Sequence, residues 1–402
     1  INFAAAYLPH ETRCKATQFN MENFRPNRNL DQTGLDRQGS PTINLGALSM
    51  RYLQRGLIEH NKDKAAQGYT LYVPQFHPHA LLIGMDGEVV HQWDLPGQPG
   101  NYGYLLDNGN LLVATWSGGG PDGFAARGGL IQEIDWDGNV VFEYRDEFQH
   151  HDFRRTTSGN TIYLGWEVLP DEAAAAVQGG QPGTETEAGI WGDYIREVDA
   201  GGNTAWEWHA YDHLDFGAYP LHPQSNRREY AHANTVRPLD DGNVLVCYRH
   251  IDVLAVIERA TGKYAWERHD ADWGGPHDAQ VLDNGNMMVF ANRGGRIPRG
   301  SKIIEFDMQS GDTVWEYKGN PTHSFDSHYI SGCQRLWNGN TLICEGLWGR
   351  LFEVTEAGEL VWEFINPITI AREMGPTAGD VSTVFRAYRY APDGPEIRGR
   401  LA

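Results

Sequence analysis

The chain has 402 residues, a formal net charge of −20, 40% hydrophobic residues, 13 Trp, 18 Tyr and 47 Gly. Such acidity argues against nucleic acid, whose phosphates need clustered Lys and Arg, and against docking on an anionic membrane surface. No apolar run approaches the length of a membrane span, and the four cysteines, Cys14, Cys247, Cys333 and Cys344, include no CxxC pair and are too few for a disulfide scaffold.

In chain order, residues 1–45 are polar and irregular, and they read as an arm packed across the body. INFAAAYLP lacks the basic start and apolar stretch of a signal peptide, so a cytoplasmic location is expected over a periplasmic or secreted one. Leu48, Tyr52, Leu53 and Leu57 are spaced as on a helix, which predicts one over 47–66. GYTLYVPQF (68–76) predicts a strand. We therefore divide the chain into an N-terminal arm and helix, 1–67, and one repeat domain, 68–402.

Beyond residue 78 a unit recurs: an apolar strand, a turn with Gly, then a strand carrying Trp or Tyr. The copies are HALLIGMDGEVVHQW, GGLIQEIDWDGNVVFEY, DYIREVDAGGNTAWEW, DVLAVIERATGKYAWER, SKIIEFDMQSGDTVWEY and GRLFEVTEAGELVWEF. Their period-two alternation means strand, and a spacing of roughly 50 residues with four strands per unit is the arithmetic of a β-propeller. A second unit ends in a Gly-Asn turn: NYGYLLDNGN, HHDFRRTTSGN, HANTVRPLDDGN, HDAQVLDNGN and HYISGCQRLWNGN. Six outer hairpins thus face five inner ones, and STVFRAYRY (382–390) supplies the missing inner strand if it lies beside GYTLYVPQF. The expected fold is all-β, a six-bladed β-propeller whose N- and C-terminal strands close the ring and remove exposed sheet edges. Two insertions, 168–193 with a short helix at DEAAAAV and 209–230, interrupt the rhythm and are expected to shape a binding mouth.

The inner strands carry the residues suited to chemistry. His151, His232, His277 and His328 stand 8 to 11 residues before their Gly-Asn turns in consecutive blades, so their imidazoles should converge at one mouth of the channel. Asn234 shares a strand face with His232, and Arg249 follows the paired strand VLVCY and returns a guanidinium to the same rim. His250 reads as either a site member or a rim residue. The tryptophans Trp206, Trp266, Trp315 and Trp362 read as packing between blades, and the Gly-Asn turns as hairpin chemistry. No nucleophile elbow, P-loop or dinucleotide fingerprint is present.

HANTVRPLDDGNVLVCYRH, GGPHDAQVLDNGN and VFRAYRYAPDG, in that order, resemble the bacterial arylsulfotransferases that work without a nucleotide sulfate donor. The resemblance runs from about Gly68 to Gly394. It implies a six-bladed propeller and sulfuryl transfer from an aryl sulfate to a phenol through a sulfated histidine. It matches His277 to the nucleophile, His232 and Asn234 to the HxN pair, Arg249 to the arginine and His151 to a further channel histidine. His328 is an addition to that pattern. No cofactor is implied, and the partner is a small aromatic or anionic molecule.

The residues leave an alternative open. Four neutral imidazoles around an axis, from His151, His232, His277 and His328, also form a ligand set for Fe, Zn, Cu, Ni or Mn, which would make the protein a metal-dependent oxygenase, lyase or hydrolase. A non-catalytic binding propeller is the third reading, and it gives no reason for histidines at matched channel positions.

Overall fold

The computed structural model describes residues 54–372 and 379–401. Blade 1 pairs Tyr69–Pro74, His79–Ile83 and Val89–Asp94, and its inner strand is Val384–Tyr390. Blade 2 is Pro99–Leu105, Leu111–Trp116, Gly129–Ile134 and Val140–Arg145. Blade 3 is Gln149–Arg155, Thr161–Val168, Trp191–Val198 and Thr204–His209, and blade 4 is Ala233–Pro238, Val244–Tyr248, Val253–Ile257 and Tyr264–His269. Blade 5 is His277–Val281, Met287–Ala291, Lys302–Phe306 and Thr313–Lys318. Blade 6 is Gly332–Arg335, Thr341–Glu345, Arg350–Val354 and Leu360–Ile365, and Gly56–His60 adds a fifth strand at its outer edge. The six sheets form the expected propeller ring.

Ring closure follows the sequence reading: Tyr69 pairs with Tyr390, and Leu71 with Tyr388. The expected helix over 47–66 is corrected within the described part, since Gly56–His60 is a strand whose Leu57 pairs with Phe364. An unpaired sheet edge offers a whole row of backbone partners, and that outweighs the weak helical spacing of a few leucines. Residues 47–53 of that expected helix, and the arm of 1–45, lie outside the described residues.

The apolar clusters sit between neighbouring blades. One joins Leu164 and Ile195 of blade 3 to Val246 and Val253 of blade 4. Another joins Leu254 of blade 4 to Val289 of blade 5. Outer-strand tryptophans tie blade to blade by donating Nε1–H to a carbonyl in the next outer hairpin. Trp266 reaches Met308 O at 2.9 Å, Trp315 reaches Glu356 O at 2.7 Å, and Trp362 reaches Met85 O at 2.9 Å across the closure. Trp206 lies under the Arg259 guanidinium of blade 4 at 4.9 Å. Inner hairpins turn as expected: Gly285 has φ +83°, and the Leu282 and Asn286 backbones bond across the turn at 2.8 Å. Cys247, Cys333 and Cys344 are buried free thiols.

The two insertions pair with each other. The first carries the expected short helix, Asp171–Ala176, and its Gly179–Gln181 strand runs parallel to Leu221–Asn226 of the second. Trp191 N–H donates to Arg228 O at 2.9 Å, and Tyr230 N–H to Trp191 O at 2.8 Å, so both insertions end side by side at the head of blades 3 and 4. Among the described residues no helix is long and apolar enough to cross a membrane.

Candidate active site

The inner strands bulge where they reach the channel mouth. Register shifts fall between Tyr163 and Leu164, between Ala233 and Thr235, and between His277 and Gln280. His151 (φ +49°), His232 (φ +57°) and Asp278 (φ +50°) hold left-handed backbone there. A non-glycine residue in that region costs on the order of 1 kcal/mol, so these bulges are conformations the surrounding blades impose.

The bulges bring His151, His232 and His277 together. The His151 and His232 rings meet edge to face at 4.5 Å, and His232 stacks on His250 at 4.4 Å. Phe385, from the closing strand, lies 6.2 Å from both His151 and His277 and forms an apolar floor between them. His328 is placed differently. It is partly exposed, its Nδ1 faces Arg299 Nη2 at 2.9 Å, and its ring packs on Tyr329 at 5.0 Å. Among the described residues it shares no ring contact with the other site histidines.

Each histidine is oriented from behind. His277 Nδ1 lies 3.0 Å from Gly275 O and 2.8 Å from Asn292 Oδ1. The Asn292 amide cannot be turned round, because its Nδ2 donates to Ser327 O at 2.6 Å and Ile330 O at 2.7 Å. Both neighbours of His277 Nδ1 are therefore acceptors, so Nδ1 carries the proton and Nε2 keeps its lone pair. His232 Nδ1 bonds Glu229 Oε2 at 2.7 Å, and Trp166 Nε1–H holds the other oxygen of Glu229 at 2.8 Å. Asn234 has a supporting place: its Nδ2 donates to Pro276 O at 2.7 Å, the carbonyl just before His277.

Burial is the first cause that keeps these imidazoles well below the ordinary histidine value. For His277 and His232 the Arg249 guanidinium adds to it, and for His151 the neighbouring His232 and His150 do. Arg249 Nη1 donates to His250 Nε2 at 3.0 Å. Among the described residues no carboxylate forms a salt bridge with Arg249, and Glu229 and Asp252 act on it only at longer range, so the mouth holds a cation without a direct counter-ion beside three neutral imidazoles.

Behind His151, three groups missed from the sequence line up. His150 Nδ1 lies 2.8 Å from His151 Nδ1, and His150 Nε2 lies 3.3 Å from Asp193 Oδ1. The His150 ring is stacked on Trp166 at 4.2 Å. Asp193 and Glu229 come from the ends of the two insertions; Asp193 also opens the copy DYIREVDAGGNTAWEW, where it reads as the start of an outer strand, and Glu229 falls outside both repeats.

A second buried polar layer lies one step down the axis. Arg386 of the closing strand contacts Asp152 Oδ2 at 3.1 Å and Asp278 Oδ1 at 3.3 Å, and donates to Asn234 O at 2.7 Å. Arg237 meets Asp278 Oδ1 at 2.6 Å, Arg154 approaches Asp152 Oδ1 at 3.5 Å, and Tyr102 donates to Asp152. Burial alone would raise both carboxyls, but the three arginines outweigh it and hold Asp152 and Asp278 below the usual carboxylate value.

Glu229, His232 and His250 each offer one metal-capable atom within 4.8 Å of the others. The closest of these contacts is already a hydrogen bond and the two rings are stacked, so we read the trio as an oriented pair with a stacked neighbour. It shares only His232 with the four-histidine set expected from the sequence.

Residues 103–367, more than half of the chain, match the family described as Arylsulfotransferase (ASST). The chain belongs to the arylsulfotransferase family. No curated protein gives a significant match to this arylsulfotransferase family member. Among solved structures it is similar to a Bacteroides caccae protein of unknown function at 16% identity and a TM-score of 0.50, covering 81% of this chain and 100% of that one. It is also similar to a selenomethionine-substituted virginiamycin B lyase from Staphylococcus aureus at 12% identity and a TM-score of 0.43, covering 78% and 89%. At such identities the likeness speaks to fold alone.

Proposed function

We propose that this arylsulfotransferase family member moves a sulfuryl group from an aryl sulfate to a phenolic acceptor by way of His277. The observation that carries the reading is the pair of acceptors facing His277 Nδ1, which assigns its tautomer. Gly275 O and Asn292 Oδ1 accept from Nδ1–H, and Nε2 is left as a neutral nucleophile within the field of the Arg249 guanidinium.

In the first half-reaction His277 Nε2 forms a bond to sulfur. The bond from sulfur to the phenolic oxygen breaks, and its electron pair leaves with that oxygen. Arg249 donates N–H to the sulfuryl oxygens, whose charge is otherwise unneutralised in a desolvated mouth. In the second half-reaction the acceptor oxygen attacks the same sulfur and His277 is released. His151 and His232 flank the path of the leaving and entering oxygens, and Phe385 gives the aromatic ring an apolar surface.

The test is release of nitrophenol from nitrophenyl sulfate in the presence of a phenolic acceptor. The reading expects release that chelators do not affect and that His277→Asn abolishes while the fold is kept. Activity lost to a chelator, with stoichiometric transition metal in the purified protein, would overturn it in favour of a metal enzyme.

A further inference from the structure

Sulfuryl transfer of this kind has a proton problem that the nucleophile does not solve. The departing phenolate must gain a proton in the first half-reaction, and the acceptor must lose one in the second. Between the two, a proton vacancy has to be held in a site with little water.

His151 and His232 both flank the reaction path, but their backing differs. His232 donates its Nδ1–H to the Glu229 carboxylate, so in the neutral ring Nε2 is bare and has nothing to donate. His151 Nδ1 faces His150 Nδ1 at 2.8 Å, so one of these two nitrogens is a donor. His150 Nε2 in turn faces Asp193 Oδ1 at 3.3 Å. His150 and Asp193 are 0% and 2% exposed, and neither His150 Nε2 nor either Asp193 oxygen has a well-formed hydrogen bond, even to the other, although the backbone N–H groups of Ala233 and His232 also act on the carboxyl. An ionised carboxylate there, with a buried Glu229 near it and only those backbone N–H groups to offset burial, would cost several kcal/mol. A neutral acid that keeps its proton and turns its O–H toward His150 Nε2 removes that cost. His150 then donates from Nδ1 to His151 Nδ1, and His151 carries its own proton on Nε2, toward the reaction path.

We infer that Asp193, His150 and His151 form a buried proton relay that protonates the departing phenolate and stores the resulting vacancy on Asp193 until the acceptor refills it. The inference rests on the sulfuryl-transfer reading above. His151 gives its Nε2 proton to the phenolate oxygen and takes the Nδ1 proton of His150. His150 takes the proton of Asp193 on Nε2, and Asp193 becomes a carboxylate facing an N–H. When the acceptor attacks, its hydroxyl proton goes to His151 Nε2, and each step reverses. No net proton enters or leaves the protein over the cycle, and each imidazole is neutral before and after its transfer.

The electrostatics agree with the geometry. Burial, then Glu229, pushes Asp193 well above the ordinary carboxyl value, and burial pulls His150 down to about 4. Both groups therefore start in the protonation state the relay requires. The charged and titratable groups facing the chain are Glu229 and Asp146 toward His150, and His232, His277 and Arg249 toward His151. Trp166 stacks on His150 and ties it to Glu229, which fixes the ring plane. His150 and Asp193 act through His151 and are positioning residues; His151 touches the substrate.

The test uses Asp193→Asn, which keeps shape and a donor toward His150 but has no proton to pass. The first half-reaction, release of phenol without acceptor, is measured over aryl sulfates whose phenols grow more basic. The relay expects nitrophenyl sulfate to react within about twofold of wild type, because nitrophenolate leaves without help. It expects unsubstituted phenyl sulfate to slow by roughly 10²-fold or more. Equal slowing of every donor, or of none, would overturn it. A second measurement needs no folded variant: infrared spectra of the wild type at neutral pH should show a protonated carboxylic acid that disappears when phenyl sulfate is added without acceptor. No such band, or one that donor leaves unchanged, contradicts the relay. Wild-type protein that transfers no sulfuryl group would instead remove the functional reading, while the resting infrared band would still report whether Asp193 holds the proton.

Discussion

Two buried polar layers share the propeller axis and solve the same problem in opposite ways. The lower one, Arg154, Arg237 and Arg386 with Asp152 and Asp278, keeps its charges and pairs them. The upper one, His150, His151, His232, His250 and His277, gives up its charges, and burial is the first cause for every member. Each ion taken out of water costs several kcal/mol unless a partner returns it. The lower layer has those partners and plugs the channel. The upper layer avoids the cost by staying neutral, which leaves lone pairs open to a substrate. Arg249 is its exception, a buried cation that makes no salt bridge among the described residues and feels Glu229 and Asp252 only at longer range, and a binding anion would complete it.

The contrast is broken most sharply at His277. His277→Asn should lose at least about 10³-fold in transfer activity with unchanged circular dichroism. Arg386→Met attacks the other layer: it leaves Asp152 and Asp278 short of a partner and should lower unfolding stability by about 3–5 kcal/mol in urea titration. Next, Asn292→Leu frees the His277 ring to take the other tautomer and should lower kcat roughly 10²-fold with KM little changed.

Acid separates the layers by pH. A histidine buried neutral binds its proton only when the chain unfolds, so its contribution is present above about 6.5 and is lost as pH falls below that value. For His150 the window runs from about 6.5 down to about 4, at about 1.4 kcal/mol per pH unit. Asp152 and Asp278 are held below their usual value, so their contribution is present above about 3.9 and fails only under stronger acid. The urea midpoint should therefore fall in two stages, and His150→Gln should flatten the first. The smallest effect belongs to His328→Gln, which should change activity by no more than about twofold, since that ring packs on Tyr329 beside Arg299.

The blades were readable because strand alternation and turn glycines repeat, and repetition averages out local ambiguity. The Leu57 region had no repeat to support it, and a sheet edge decided it. His151 and His277 stand 8 residues before Gly159 and Gly285, while His232 stands 10 before Gly242. The bulge at Ala231 and His232 absorbs that difference. His328, 11 residues before Gly339, precedes its inner strand Gly332–Arg335 and stays in the loop. Asn292, Asp193 and Glu229 could not be found by spacing. Asn292 ends an apolar strand, and the two carboxylates come from insertions that meet only in three dimensions. Arg386 lies in VFRAYRY, which we read as a closing strand; that it also neutralises the channel plug depends on two aspartates from other blades.

The most direct test of the account is the mass of the intact protein after exposure to nitrophenyl sulfate without an acceptor. The account predicts a gain of one sulfuryl group per chain, mapped to His277, lost in acid and discharged by adding a phenol. An unlabelled protein that still turns over donor and acceptor, or a label on any residue other than His277, would contradict it.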